Sequence, residues 1–182
     1  GEGGMALTND VSLYEKMSSL SEYGSNKEER YLYDDIGFNY RMTNMQAAVG
    51  LAQLEKLDEI LKIRDQQLSI YQELLSELPN VMVRPSFNCG RSVHWLMTLL
   101  LEKENIRDSL IERIEISNVE TRKMIYPVYH SKPYTSLGNK TNFNNAEKIS
   151  LNSIHLPSST GLKNSEIRLI VKSFQKQLNS FD

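Results

Sequence analysis

From Thr43 to Leu78 the chain carries apolar residues at helical spacing, and no proline interrupts it until Pro79. Leu54, Leu57, Leu61, Leu68, Tyr71, Leu75 and Leu78 form one stripe, broken only at Arg64. Thr43 and Gln46 stand at capping-box spacing, so the pattern predicts a single helix over residues 43–79, about 50 Å long at ~1.5 Å per residue. Ala47, Ala48, Gly50 and Ala52 give its first part a small-residue surface for close packing. A helix of that length serves two bodies. The expected organisation is therefore a remnant of a larger domain over 1–42, a connecting helix over 43–79 and a small α+β domain over 80–182.

Before the helix, Met5–Thr8 reads as a short strand after a glycine turn, and Asn9-Asp10 offers a cap for a helix through about Glu22. A strand so placed has no neighbours of its own and is marginal in water, so the start is expected to belong to a larger sheet, as in a truncated piece. Residues 24–42 (GSNKEERYLYDDIGFNYRM) show no period of 2 or 3.6 and are rich in aromatics, which predicts an ordered loop. After Pro79 the pattern alternates. Strands are expected over Val81–Pro85, Ser92–Leu101 and Val119–Arg122, with a helix over Asn105–Ile114. Residues 123–143 lack periodicity, and a brief helix capped at Asn142 or Asn144 runs to about Ser150. The last helix, capped at Asn164 or Ser165, places Ile167, Ile170, Val171, Phe174 and Leu178 on one face, which should pack on the small sheet.

Composition narrows the classes. With 182 residues, 40% hydrophobic and 24% charged, the chain reads as an ordinary soluble globular protein. Its 21 basic and 23 acidic residues are scattered, so no footprint for nucleic acid is present. The longest apolar run, residues 96–101, falls far short of the ~20 residues of a membrane span. Cys89 has no disulfide partner and no leader pattern is present, which makes the cytoplasm the default setting. His94, His130 and His155 lack metal-site spacing. The glycine turn Gly1-Glu2-Gly3-Gly4 is followed by a strand pattern rather than a helix, the wrong order for a dinucleotide fingerprint or P-loop, and no G-x-S-x-G is present.

Asn39-Tyr40-Arg41 crowds an amide, a phenol and a guanidinium just before a predicted helix, which is the donor set that holds a phosphate. The bland alternative has Arg41 paired with Asp34 or Asp35 and Asn39 closing a turn. Spacing alone leaves both open.

GFNYRMTNMQAAVGLAQLEKLDEI, residues 37–60, resembles the core of the DegT/DnrJ/StrS family of pyridoxal-phosphate-dependent sugar aminotransferases. GEGGMALTND, LSEYG, SVHWL, VETR, YPVYH, AEKIS, IHLPSS and the closing EI helix follow the same family's order. The resemblance implies an α/β fold of type I: here the end of the large domain, the linking helix and an α+β small domain. It implies pyridoxal 5'-phosphate as cofactor, held by a lysine a few residues before the GEGG turn, so that no lysine of this chain takes that role. It implies that Asn39 reaches the cofactor phosphate of a second protomer, with Arg41 as helper, in a homodimer with shared active sites. The activity implied is transfer of an amino group, usually from glutamate, to a nucleotide-linked keto sugar in polysaccharide or deoxyamino-sugar synthesis.

His94 with Trp95 on an expected strand, Arg122, Tyr126 and His130 match family segments that approach the sugar nucleotide. For His94 and Trp95, filling the small-domain core is an equal alternative. Lys123 stands where the family commonly has proline, and the histidine of Tyr126–His130 is displaced by one residue from the family pattern. Two companion readings remain: the 182 residues alone form a non-catalytic fragment with dimer and substrate-lid surfaces, or the whole protein is a sugar dehydratase of the same family with histidine in place of the lysine.

Overall fold

The computed structural model describes residues 1–83, 90, 92–137 and 143–181. Cys89, the end of the strand expected over Val81–Pro85 and the candidate cap Asn142 lie outside the described residues. The chain forms two compact units, residues 1–58 and 59–182.

In the first unit, residues 1–8 take no regular structure, contrary to the expected strand over 5–8. Met5 and Leu7 are 81% and 87% exposed, and no strand in this unit offers them a hydrogen-bonding edge. Helix α1 (Val11–Ser21) starts where the caps predicted: Asp10 Oδ1 accepts from the Ser12 and Leu13 N–H groups at 2.8 and 3.1 Å. The loop that follows is ordered by backbone pairing. Tyr23 N–H donates to Phe38 O at 2.9 Å, Phe38 N–H to Leu20 O at 2.7 Å and Tyr40 N–H to Ser21 O at 2.9 Å. Two glycines make this closure possible. Gly24 sits at φ 70°, and a Cβ there would meet Asp35 O at 2.1 Å; a Cβ on Gly37 would lie 2.1 Å from Gly24 N.

Helix α2 (Asn44–Glu55) opens with the predicted capping box: Gln46 N–H donates to Thr43 Oγ1 at 3.3 Å, and Thr43 N–H to Gln46 Oε1 at 2.9 Å. The single helix expected over 43–79 is instead two. Lys56 leaves helical geometry at φ −100°, ψ 4°, and α3 (Leu57–Leu75) begins after it. No glycine or proline marks this interruption, so it is invisible in the sequence pattern. Within their unit α1 and α2 bury no residue. The apolar stripe is accordingly buried only in its second half, at Tyr71, Leu75 and Leu78, while Leu54 and Leu57 are exposed.

The second unit holds α3 from Glu59 onward, β1 (Val81–Val83), β2 (Met97–Leu101), α4 (Arg107–Glu115), β3 (Arg122–Lys123), α5 (Asn144–Asn152), β4 (Ser153–Leu156) and α6 (Asn164–Leu178). The strands form one antiparallel sheet in the order β1-β2-β4-β3. Leu99, Leu101 and Ile154 of the sheet share a core with Tyr71 and Leu75 of α3, Leu110 and Ile114 of α4, and the predicted face of α6, Ile167 through Leu178. Several boundaries differ from the sequence pattern. β2 starts at Met97 rather than Ser92, and β3 begins only at Arg122. α6 is entered at Lys163, whose N–H donates to Glu166 Oε2 at 2.7 Å, and α5 at Phe143, not at Asn164, Ser165 or Asn144 as expected. Among its described residues, the aperiodic stretch includes 3-10 turns at Val128–His130 and Lys132–Leu137. β4 was not expected; all four of its residues are buried, so it lacks the alternation that marks a half-exposed strand.

Candidate cofactor and substrate sites

In the first unit, a cleft of about 370 Å³ is lined by Glu2, Gly3, Gly4, Asn39, Arg41 and Gln46, with Tyr40 and Met42. Gln46 Nε2 donates to Glu2 O at 2.9 Å, which ties the glycine turn to the first turn of α2. The two stretches singled out in the sequence, the glycine turn and Asn39-Tyr40-Arg41, therefore face one space. Asn39 is set by its antiparallel bridge to Glu22, and its side chain is exposed. Tyr40 stacks on Phe38 with ring centroids 5.0 Å apart. Contrary to the bland alternative, Arg41 pairs with neither Asp34 nor Asp35. Its Nε lies 3.6 Å from Glu22 Oε1, while Asp35 is taken by Lys16 at 2.6 Å and Asp34 accepts from Asn26 at 2.8 Å. The Arg41–Glu22 pair is long and solvent-screened, so the guanidinium remains available to an anion. An amide and a guanidinium across from two glycines fit a phosphate. None of the residues lining this cleft is a lysine.

In the second unit, a cleft of about 320 Å³ is lined by Arg64, Trp95, Glu120, Arg122, His155 and Ser158, with Leu96, Leu156, Pro157 and Ser159. Arg122 occupies its first residue of β3 and donates through Nε and Nη2 to Glu120 Oε1, at 3.2 and 2.9 Å. His94 and Trp95 lie on no strand. His94 has φ 46°, its Nε2 stands 3.7 Å from Asp65 Oδ1, and Trp95 is 66% exposed, so neither fills the core of the unit as the alternative reading had it. Tyr126 and His130 form a separate cluster. Their rings stack at 5.7 Å, and His130 Nε2 lies 2.8 Å from Glu147 Oε1 on α5. Of the predicted substrate-side residues, Arg122 and Trp95 share the cleft, and Tyr126 and His130 share the second cluster.

Sequence reasoning missed three residues of α3. Arg64 Nη1 donates to the carbonyls of His94 and Trp95 at 3.0 Å each, Gln67 Nε2 to Ser159 O at 2.8 Å, and the Tyr71 hydroxyl to Pro157 O at 2.8 Å. Positions 64, 67 and 71 lie on one helical face, so this ladder holds both segments that wall the cleft. The break in the apolar stripe at Arg64 was the available signal. His155 was also missed as a cleft residue. It is buried on β4, its Nδ1 lies 3.0 Å from Thr98 Oγ1, and burial pushes its pKa down, with the neighbouring Arg122 charge acting in the same direction. Burial likewise raises the pKa of Tyr71. Among the described residues no helix is long and apolar enough to cross a membrane.

The profile of the DegT/DnrJ/EryC1/StrS aminotransferase family matches residues 1–175, and the chain belongs to that family. GDP-perosamine synthase of Caulobacter vibrioides is 35% identical over 181 residues, covering 98% of this chain and 48% of that protein. GDP-perosamine synthase of Vibrio cholerae is 34% identical, covering 98% of this chain and 49% of that protein. The chain thus spans about half the length of these relatives. Helicobacter pylori PseC, an aminotransferase involved in pseudoaminic acid biosynthesis, superposes with a TM-score of 0.84 at 24% identity over 95% of this chain and 48% of that one. At that identity the likeness establishes the fold: this chain has the α/β architecture of one half of a fold-type-I aminotransferase.

Proposed function

We propose that this chain is the C-terminal portion of a pyridoxal-5'-phosphate-dependent aminotransferase that moves an amino group, with glutamate as donor, onto a nucleotide-linked keto sugar in polysaccharide or deoxyamino-sugar synthesis. The observation that supports it most is the meeting of Asn39 and Arg41 with Gly3 and Gly4 around one cleft, in a chain that belongs to a sugar aminotransferase family. In this proposal Asn39 donates its side-chain amide to the cofactor phosphate of a second protomer, and Arg41 adds charge beside it. The enzyme is then a homodimer with shared active sites, working in the cytoplasm. The cofactor, when bound, supplies the electron sink through which an amino group passes between donor and acceptor.

This chain's own part in that proposal is to bind and position. The loop closed by Gly24 and Gly37 holds Asn39 in place, and Gln46 holds the glycine turn opposite it. In the second unit Arg122 presents a fork for a carboxylate or diphosphate, while His94, Tyr126 and His130 line the approach of the sugar nucleotide. Proton transfer at the reacting carbon falls to the family's lysine, which the resemblance places ahead of the glycine turn.

The test uses the complete protein, supplied with pyridoxal phosphate, glutamate and a panel of nucleotide-linked keto sugars, with products read by mass spectrometry. An amino sugar nucleotide is the expected product. No product from any keto sugar, with cofactor demonstrably bound, contradicts the proposal. A stoichiometric borohydride-trapped cofactor adduct on one lysine of these 182 residues contradicts the placement of the active site.

A further inference from the structure

Among the described strands β3 is the shortest, two residues at the edge of the sheet, and successive side chains of a strand leave on opposite faces. The register fixes which face each one takes. Arg122 stands opposite His155, which stands opposite Thr98; Lys123 stands opposite Ile154, which stands opposite Leu99. Leu99 and Ile154 belong to the core shared with α4 and α6, so Lys123 lies on the helix side of the sheet. Arg122 lies on the other side, where it lines the cleft. Two residues of edge pairing do little to fix the direction of a side chain, so another contact has to set it.

That contact is on the helix side. Lys123 Nζ lies 2.7 Å from Asp108 Oδ2 in the first turn of α4, and the second oxygen of the same carboxylate accepts from Arg107 Nε at 2.7 Å. Arg107 is only 5% exposed, and its Nη1 donates to Ser150 O on α5. The hydrogen bond from Arg107 first, and that from Lys123 second, hold the Asp108 carboxyl below the ordinary carboxylate pKa. A buried guanidinium with two partners is a rigid point, and through Asp108 it fastens Lys123. None of these three residues lines the cleft. The Asp108 and Lys123 side chains are 56% and 46% exposed, so their bridge adds little to global stability, and its consequence is local to β3.

We propose that Asp108 and Lys123 are positioning residues for Arg122: their bridge, anchored on buried Arg107, sets the roll of β3 about its own axis and with it the aim of the Arg122 fork into the cleft. The inference rests on the reading of Arg122 as a fork for a carboxylate or diphosphate and adds the residues that direct it.

The experiment is calorimetric titration of the complete protein with inorganic pyrophosphate and, separately, with L-glutamate, with thermal unfolding followed for every variant. Arg122→Ala should weaken binding of the probe that saturates at least tenfold. Lys123→Met and Asp108→Asn should each weaken it about 2- to 5-fold with little change in the thermal transition, the scale of an exposed ion pair. Lys123→Arg, which keeps the bridge, should stay within about twofold of wild type. The two signs separate aim from charge. If these residues acted only through their field, losing the cation would weaken anion binding and losing the carboxylate would tighten it; positioning requires both to weaken. In an Arg122→Ala background neither change should cost anything further, because the bridge acts through that arginine.

No saturable binding of either probe, or wild-type affinity in Arg122→Ala, overturns the reading of Arg122 together with this proposal. If Arg122→Ala does weaken binding, the positioning role alone is overturned by wild-type affinity in Lys123→Met, by tighter binding in Asp108→Asn, or by a Lys123→Arg protein as weak as Lys123→Met. Should Asp108→Asn fail to fold, the two Lys123 variants and the Arg122→Ala background decide. The readout is binding without turnover, so the outcome is independent of the aminotransfer test.

Discussion

A Cβ placed on Gly37 would lie 2.1 Å from the backbone nitrogen of Gly24, so the two strands of the loop that carries Asn39 approach more closely than any side chain permits. Gly37→Ala cannot be absorbed by a flexible neighbour, since the obstructing atoms are main chain. We expect a cost of about 1–3 kcal/mol in local stability. Hydrogen exchange should show it directly, with faster exchange at the amides of Tyr23, Phe38 and Tyr40. Unchanged protection at those three amides would contradict the packing described here.

Tyr71 links α3 to the turn after β4 through its 2.8 Å hydrogen bond to Pro157 O, and its ring is fully buried in the core. Tyr71→Phe keeps the ring and removes the bond. Denaturant unfolding should report a loss of roughly 0.5–1.5 kcal/mol with little change in slope. Tyr71→Ala should cost about 3–5 kcal/mol, as expected for a deleted core aromatic. Equal effects of the two variants would mean the hydroxyl contact, rather than the ring, dominates.

His155 carries a pH dependence whose sign follows from its burial. Its pKa is pushed below the ordinary value of 6.5, so the unfolded chain binds a proton more readily than the folded one. The stability it contributes is fully present above that ordinary value and is lost as pH falls through it toward the folded-state pKa. Unfolding free energies measured between about pH 5 and 7 should therefore decline on acidification in wild type, and less steeply in His155→Asn. A wild-type slope identical to that of the variant would contradict the assignment.

What was legible in the sequence was local. The Asp10 cap, the Thr43–Gln46 box and the apolar face of α6 are written at spacings of two to four residues, and they appear where those spacings placed them. The strand over Met5–Thr8 failed because a short apolar run after a glycine turn states only a propensity, and no pairing edge exists for it in its unit. β4 was missed for the opposite reason: a fully buried central strand shows no alternation. The interruption at Lys56 has no proline or glycine to announce it. At the candidate sites, the residue types that bind phosphate were readable at Asn39 and Arg41. The α3 ladder and the buried His155 depend on contacts across roughly 30 to 95 residues of chain, which periodicity cannot report.

The central claim is that Asn39 serves a cofactor held by another protomer, and subunit complementation tests it most directly. In the complete protein, Asn39→Ala should weaken pyridoxal phosphate retention by roughly 1.5–3 kcal/mol, the range for a hydrogen bond to a charged group, with little change in thermal stability. Mixed with protomers that lack the cofactor-binding lysine, it should recover part of the activity. In the heterodimer both lesions fall in one of the two sites, and the other is intact. If heterodimers demonstrably form and the mixture remains inactive, Asn39 does not act across the interface and the account is wrong.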